Sequence, residues 1–192
     1  LADLNQILSQ RIEAELAKVR LAAVIQRNLL PKEAPAIPGY DLAGETVPAQ
    51  TVGGDYYDFI PMETNQMAFC VGDVSGKGVS AAFYMAEMKG IFQSLSRIYR
   101  QPKEFLAKAH ETLTGTIDKR SFISLIYAVV NLHTGVMTVA RAGHCPLLLA
   151  SGSGSEYIKP VGLGLGMGGS KFFGRTIEQG QRQLRCGDVG GF

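Results

Sequence analysis

Residues 71–78 read VGDVSGKG, and residues 52–59 before them read VGGDYYDF. Each stretch places an aspartate, Asp73 or Asp55, beside glycine at the edge of an apolar segment that predicts a β-strand. A turn signal at Thr64-Asn65 lies between the two strands, so we expect them to form a hairpin. Because the strands of a hairpin are neighbours, the two aspartates could face one another across the end of a sheet.

This pair of aspartates has two interpretations. Two carboxylates brought together repel, and one of them should be partly protonated unless a cation lies between them. Oxygen ligands with few nitrogens or thiols nearby favour Mg²⁺ or Mn²⁺, and two such ions about 3.5–4 Å apart could bind a phosphoryl group and lower the pKa of a bridging water. Aspartate beside glycine is also a common turn signal, so spacing alone leaves open that both residues only form turns.

Hydrophobic periodicity around these stretches predicts the remaining elements. We expect strands at 40–47, 52–60 and 66–74, helices at 79–100 and 102–114, and later strands at 121–131, 136–142, 147–150 and 173–184. The strand at 147–150 is expected to continue the same sheet, and the Gly/Ser run 151–155 to form a tight or mobile loop. The order of strands, two helices and strands predicts an α+β fold in which helices cover a mainly antiparallel sheet system.

The first 30 residues predict one long helix, since apolar residues recur at three- and four-residue spacing and nothing interrupts them before Pro31. The chain has no initiating methionine, and we expect it to be a piece of a longer protein. Residues 1–30 would be a linker helix from an upstream regulatory domain, followed by a second domain over 31–192. The helix either packs on its own domain or pairs with a copy of itself in a homodimer.

Bulk composition excludes several classes of protein. The chain has 192 residues, 46% hydrophobic and 19% charged, which is typical of a globular domain. Its net charge of +2 is too small to indicate nucleic acid or an anionic membrane as the main partner, and no stretch approaches the ~20 apolar residues of a transmembrane helix. Three widely spaced cysteines without a CxxC pair indicate reduced thiols in a cytoplasmic protein and no zinc site.

Two glycine-rich stretches do not fit nucleotide-binding loops. Gly72 and Gly76 enclose three residues where the phosphate-binding loop needs four, and Gly78 follows Lys77 where that loop has Ser or Thr. Residues 162–166 follow no convincing strand and open no helix, so they are a weak match to the dinucleotide fingerprint. We therefore expect no nucleotide cofactor.

Five motifs then follow one another along the chain. They are QRNLLP at 26–31, GGDYYDF at 53–59, GDVSGKG at 72–78 with two alanines soon after it, AGHCP at 142–146, and GD at 187–188. In this order they resemble the PP2C-type (PPM) serine/threonine phosphatases of the bacterial sporulation and stress-response branch, and they cover nearly all of residues 24–188. The sequence departs from that family at Cys145, where the family usually has asparagine.

The resemblance implies a β-sandwich of two antiparallel sheets flanked by helices, with a pair of Mg²⁺ or Mn²⁺ ions at one end. It places Asp55 on the family's metal-bridging aspartate and Asp73 on the aspartate of the second motif, so these two are the expected catalytic and metal-binding residues. Val74 falls on the position that offers a backbone carbonyl to the metal. Asp58 is expected to be structural, because three residues along a strand it faces away from Asp55.

Two further motif residues are His144 and Lys77. His144 either touches the site or buttresses the turn at Pro146. Lys77 is expected to point to solvent.

In function, the resemblance implies removal of phosphate from serine or threonine on a small signalling partner, such as an anti-sigma-factor antagonist. The attacking group would be a metal-activated water, and no phosphoenzyme would form. A receiver or sensor domain upstream would send its signal through residues 1–30.

The C-terminus departs from this pattern. After a Gly-Asp such as 187–188, in which Asp188 is a turn residue, the family continues with a strand, a Thr/Ser-Asp-Gly motif and a later Asp-rich segment that supply the other metal ligands. Here the chain reads VGGF over 189–192. We therefore expect a C-terminally incomplete domain, through truncation, a missing stretch or loss of the ligands. The alternative function is a non-catalytic binding or regulatory module.

Overall fold

The computed structural model describes residues 2–48, 50–63 and 65–192. Along this part of the chain the elements are α1 Ala2–Leu29, β1 Tyr56–Met62, β2 Gln66–Val74, α2 Val79–Leu95, α3 Pro102–Leu113, β3 Ile123–Asn131, β4 Val136–Ala142, β5 Leu147–Ser151, β6 Gly154–Ile158, α4 Ser170–Thr176, β7 Gln179–Gln183 and β8 Val189–Gly191. No helix of this part is long and apolar enough to cross a membrane.

The strands form two antiparallel sheets. One has five strands in the order β1-β2-β3-β4-β7, and the other has three in the order β6-β5-β8. The expected hairpin is present, with β1 paired to β2 so that Tyr56 lies opposite Gly72. On the other side of β2, Asp73 lies opposite Ser124 of β3. The predicted α+β fold with two antiparallel sheets and flanking helices is confirmed.

Two hydrophobic cores hold the layers together, and β2 contributes to both. Its alternate residues Ala68 and Cys70 face helices α2 and α3, where they meet Met85 and Phe92 among others. Met67 and Phe69 face the other way, into the core between the two sheets. Central strand β3 is buried along nearly its whole length, as its continuous apolar run predicted. The five-stranded sheet is therefore the rigid middle layer of the molecule.

Helix α1 packs on the rest of the domain near its C-terminal end. Residues 3–18 are all exposed, whereas Ala23 is buried and Leu29 is half-buried. Its neighbour there is α2, with which it shares an apolar groove that includes Ile25 and Phe83. The prediction of one helix is confirmed, and packing on its own domain holds for its last turns.

Two predictions near the aspartates are wrong: one predicted strand is absent, and another begins later than expected. Residues 40–47, all of which the structure describes, form no strand, and Tyr40 makes only an isolated bridge to Ile37. Their apolar pattern arises because Tyr40 and Leu42 pack on the inter-sheet core as irregular chain. The strand expected at 52–60 begins only at Tyr56, after the two glycines. Thr64 lies outside the described residues, and Asn65 beside it has a φ of 57° that suits a turn.

Three later expectations also need correction. The helix expected at 79–100 ends at Leu95. The strand at 147–150 does not continue the first sheet, because the chain turns at Gly143 (φ 66°) and β5 joins the second sheet between β6 and β8. The strand expected at 173–184 begins as helix α4, whose Phe173 is buried against the His110 ring, and only β7 is strand. The Gly/Ser run 151–155 makes a tight turn between β5 and β6.

Candidate functional site

The two aspartates of the sequence motifs line one cleft at the open end of the β1–β2 hairpin. Asp73 is the second-last residue of β2, and Asp55 immediately precedes β1. The loop that carries Asp55 lies across the end of β2, where the Val74 backbone N–H donates to the Gly54 carbonyl at 3.3 Å. The cleft has a volume of about 180 Å³ and is otherwise lined by glycines, Gln50, Val52 and Lys77.

The surroundings of Asp73 in this cleft change the pKa of its carboxyl group. Withdrawal from solvent raises the pKa of the Asp73 carboxyl above its ordinary range, and the neighbouring Asp55 carboxylate raises it further. A hydrogen bond from the Val74 backbone acts in the opposite direction. Two carboxylates that line one small cleft favour a cation between them, so the donor set fits a hard divalent ion.

Gly54 has to be glycine for this arrangement to exist. A methyl group on its Cα would lie 2.7 Å from the Val74 carbonyl oxygen and 3.0 Å from Asp73 Oδ1. These are the atoms that the motif resemblance assigns to metal binding, so a side chain at 54 would occupy the ligand space. Gly53 is different, since its nearest neighbour would be Pro48 Cβ at an ordinary 3.7 Å.

Hydrogen bonds from β3 and the β4–β5 turn hold the Asp73 side of the cleft. Ser124 Oγ lies 3.3 Å from the Asp73 carbonyl oxygen and 2.9 Å from His144 Nδ1. The Arg141 guanidinium donates to the His144 carbonyl and to the Pro160 carbonyl. Burial lowers the pKa of His144, and Arg141 lowers it further, against the opposing effect of Asp55. The His144 ring therefore contacts Ser124 beside Asp73, and Arg141 holds the His144 backbone in the turn.

A contact that the sequence did not predict holds the Asp55 side. The Gln26 side chain on α1 donates from Nε2 to the Gly53 carbonyl at 2.6 Å and accepts from the Gly53 N–H at 3.1 Å. This two-point pairing fixes the loop two residues before Asp55. In the sequence Gln26 is part of the QRNLLP motif, and its partner Gly53 is 27 residues away, so local pattern does not predict this contact.

The other motif residues lie as follows. Asp58 is buried and accepts from the Tyr56 hydroxyl at 2.9 Å and from Lys89 Nζ at 2.5 Å, which agrees with a structural role. Lys77 is exposed at the rim of the cleft. Asp188 closes a turn by accepting from the Arg185 N–H at 2.9 Å.

Among the residues that the structure describes, no group of three or more His, Cys, Asp or Glu side chains could hold a metal ion. The cleft offers two carboxylates, and the Val74 carbonyl lies beside its lining residue Gly54.

Comparison with known proteins gives consistent results. The family model for stage II sporulation protein E (SpoIIE) matches residues 63–189, more than half of the chain. Phosphoserine phosphatase RsbU of Bacillus subtilis is 29% identical over 182 residues, which are 95% of this chain and 52% of RsbU. The chain thus spans about half the length of this curated relative.

Solved structures show the same fold. The SiaA-PP2C domain of Pseudomonas aeruginosa superimposes with a TM-score of 0.75 at 18% identity, over 95% of this chain and 71% of that one. RsbX in complex with magnesium gives a TM-score of 0.58 at 15% identity, over 73% of this chain and 65% of that one. The motifs, the fold and the family match agree, and the chain belongs to the SpoIIE family of PP2C-type serine/threonine phosphatases.

Proposed function

We propose that this chain is the catalytic region of a metal-dependent protein serine/threonine phosphatase. The observation that carries the proposal is the single cleft in which Asp55 and Asp73 lie together, bordered by glycines that leave room for a phosphoryl group. The turn-former interpretation of the two aspartates explains neither the electrostatic effect of Asp55 on Asp73 nor the need for glycine at position 54.

Asp55, Asp73 and the Val74 carbonyl would hold Mg²⁺ or Mn²⁺, since all three donors are hard oxygens and the Val74 carbonyl and Asp73 Oδ1 both lie beside Gly54. RsbX, which shares the fold, has been solved with magnesium. When bound, such ions neutralise phosphoryl oxygens and lower the pKa of an attacking water, so no protein nucleophile is needed.

The protein's own groups would orient the substrate. Helix α2 begins at Val79, directly after cleft residue Gly78, and its first turn has no side-chain cap. The positive end of the helix dipole therefore lies beside the space that a phosphate would enter. Gly76 and Gly78, with φ of 100° and 74°, allow the loop to reach α2 without side chains in the cleft.

The substrate would be a small signalling protein phosphorylated on serine, such as an anti-sigma-factor antagonist, by analogy with RsbU, a phosphoserine phosphatase. The cellular site would be the cytoplasm. Support comes from Cys70, Cys145 and Cys186, which are free thiols in the structure.

Residues 1–30 would be the linker that carries a signal from an upstream domain to 31–192, and they would pair two copies of the protein. The exposed apolar residues of α1 support pairing, because a solitary surface helix gains nothing from exposing them. They are Leu4, Ile7, Leu8, Ile12 and Leu16. Substituting Leu8 by Glu should convert a dimer of the full-length protein to a monomer in light scattering, and an unchanged mass would exclude this interface.

A second candidate function is a non-catalytic binding module. It is favoured by the finding that the described residues offer two carboxylates rather than three or more. Such a module would recognise the same partner without turning it over.

Turnover separates the two candidates. The full-length protein should release phosphate from a phosphoserine peptide with Mn²⁺, and Asp55→Asn and Asp73→Asn should each lower kcat/KM by at least about 100-fold. Asp188→Asn is the matched control, because Asp188 is an aspartate beside glycine that only closes a turn. Wild-type turnover in both cleft variants would exclude the metal assignment, and no turnover by the wild type would favour the binding module.

A further inference from the structure

A groove larger than the metal cleft runs beside it, between α1 and residues 46–48, 50–51 and 53. Its volume is about 640 Å³, within the range of cavities that hold a ligand. Gln50, Gly53 and Asp55 line both cavities, so the groove opens directly into the cleft. A chain lying in the groove would reach Asp55 with one of its residues.

The groove combines an apolar floor with two arginines. Ala23, Val24, Leu30 and Val47 contribute apolar surface. Arg20 and Arg27 border the same groove and are exposed. They are seven positions apart in the helix, which is about two turns, so both lie on one face of α1 about 10 Å apart along its axis.

Neither arginine forms a salt bridge within the part of the chain that the structure describes. The salt bridges there involve other cations, and the one on α1 joins Lys18 to Glu15. The carboxylate that shares the groove with the arginines is Asp55, at the mouth of the cleft. Arg27 follows Gln26, which is bonded to Gly53, so Arg27 marks the end of the groove nearer the cleft.

We propose that this groove binds an extended acidic segment of the phosphorylated partner protein, with the phosphorylated residue at the cleft and acidic residues on Arg27 and Arg20. The inference rests on the proposed function and adds a substrate preference to it. An extended chain rises about 3.3 Å per residue, so acidic side chains about three positions apart match the spacing of the arginines. Guanidinium groups suit carboxylates because they can donate two parallel hydrogen bonds.

The test measures selectivity with synthetic peptides and the full-length protein. One phosphoserine peptide carries glutamates at three-residue spacing beside the phosphoserine, and its partner carries glutamines at the same positions. The wild type should show a kcat/KM about tenfold higher for the glutamate peptide, with a preference that weakens as salt is added. The double variant Arg20→Glu/Arg27→Glu should reduce that ratio to about one or below.

The matched control is Arg11→Glu, which makes the same charge change on α1 outside the groove. It should keep the wild-type ratio. The proposal is overturned if the double variant keeps the ratio as well, since general damage lowers both rates together. It is also overturned if the double variant changes the oligomeric mass, because the groove would then be an interface between copies.

A binding measurement keeps this test separate from catalysis. Fluorescence anisotropy of the unphosphorylated glutamate peptide needs no turnover, and affinity should fall about tenfold in the double variant. If no peptide is hydrolysed, but the wild type binds the glutamate peptide and the double variant binds it more weakly, the proposed function is wrong and the groove proposal is supported. If peptides are hydrolysed without selectivity and without binding in the groove, the proposed function stands and the groove proposal fails.

Discussion

The two aspartates of the cleft are held by different kinds of structure. Asp73 lies at the end of β2, a strand paired on both sides, and its carbonyl is bonded to Ser124 of β3. Asp55 precedes its strand on a loop that is fixed from outside the sheet by Gln26 of α1. One half of the site is therefore rigid with the core, whereas the other half depends on the position of a helix. A movement of α1 would therefore shift the position of Asp55 and leave the position of Asp73 unchanged.

The largest loss of activity is expected at Gly54, where the loop that carries Asp55 contacts the end of β2. Gly54→Ala places a methyl group against the Val74 carbonyl and Asp73 Oδ1. We expect turnover and Mn²⁺ affinity to fall by about 100-fold, because the ligand space is filled. Gly53→Ala meets only an ordinary contact and should stay within about twofold of the wild type. Equal losses in both variants would mean that the loop tolerates no side chain anywhere and that position 54 is not special.

The rigidity of the Asp73 half can be tested by overpacking it. A methyl group at Gly72 would lie 2.5 Å from Leu125 Cδ1 and 2.7 Å from the Ser124 carbonyl oxygen. We expect Gly72→Ala to lower the free energy of unfolding by about 2 kcal/mol. Gly90→Ala is the control, since Gly90 is in α2 with open space around it and should raise stability by about 0.5–1 kcal/mol. Urea denaturation measures both, and an unchanged midpoint for Gly72→Ala would contradict a tightly packed strand end.

Loss of the Gln26 contact, which positions the Asp55 half, should lower kcat/KM more than it lowers the free energy of unfolding. Gln26→Ala removes both hydrogen bonds to Gly53, each worth about 1 kcal/mol at most in stability. We expect kcat/KM to fall about fivefold to tenfold and Mn²⁺ affinity to fall with it. Gln10→Ala, an exposed glutamine of the same helix, should change neither quantity. If Gln26→Ala keeps wild-type turnover, the loop is positioned without α1.

The smallest effect is expected at Ser124. Ser124→Ala removes the bonds to the Asp73 carbonyl and His144, but the ladder between β2 and β3 still fixes the backbone. We expect a loss of under about 1 kcal/mol in stability and about twofold in turnover, measured by urea denaturation and phosphate release. If Ser124→Ala lowers turnover more than Gln26→Ala does, the Asp73 half depends more on its side-chain contact than the Asp55 half, contrary to the account.

Sequence pattern was reliable where neighbours in the chain are also neighbours in space. The hairpin that joins Asp55 and Asp73 was predicted because a turn signal separates two strands, and β3 because a strand covered on both faces is apolar throughout. The strand predicted at 40–47 was wrong, because the apolar residues Tyr40 and Leu42 pack against a core formed by distant parts of the chain and do not join a sheet.

Long-range choices could not be predicted. The local sequence does not predict that β5 belongs to the second sheet, between β6 and β8. That position depends on the pairing of Leu148 with Gly191, which is distant in the chain. The Gln26–Gly53 pairing and the Ser124–His144 bond also join residues that are distant in sequence. The aspartates of the candidate site were therefore found from the motifs, while the groups that position them emerged only from the fold.

The proposal that Asp55 and Asp73 together hold the metal is tested most directly by calorimetric titration of Mn²⁺ into the full-length protein. Asp55→Asn and Asp73→Asn should each weaken Mn²⁺ binding by at least about tenfold, whereas Asp41→Asn, an exposed aspartate outside the cleft, should bind as the wild type does. Wild-type Mn²⁺ affinity in both cleft variants would contradict the account.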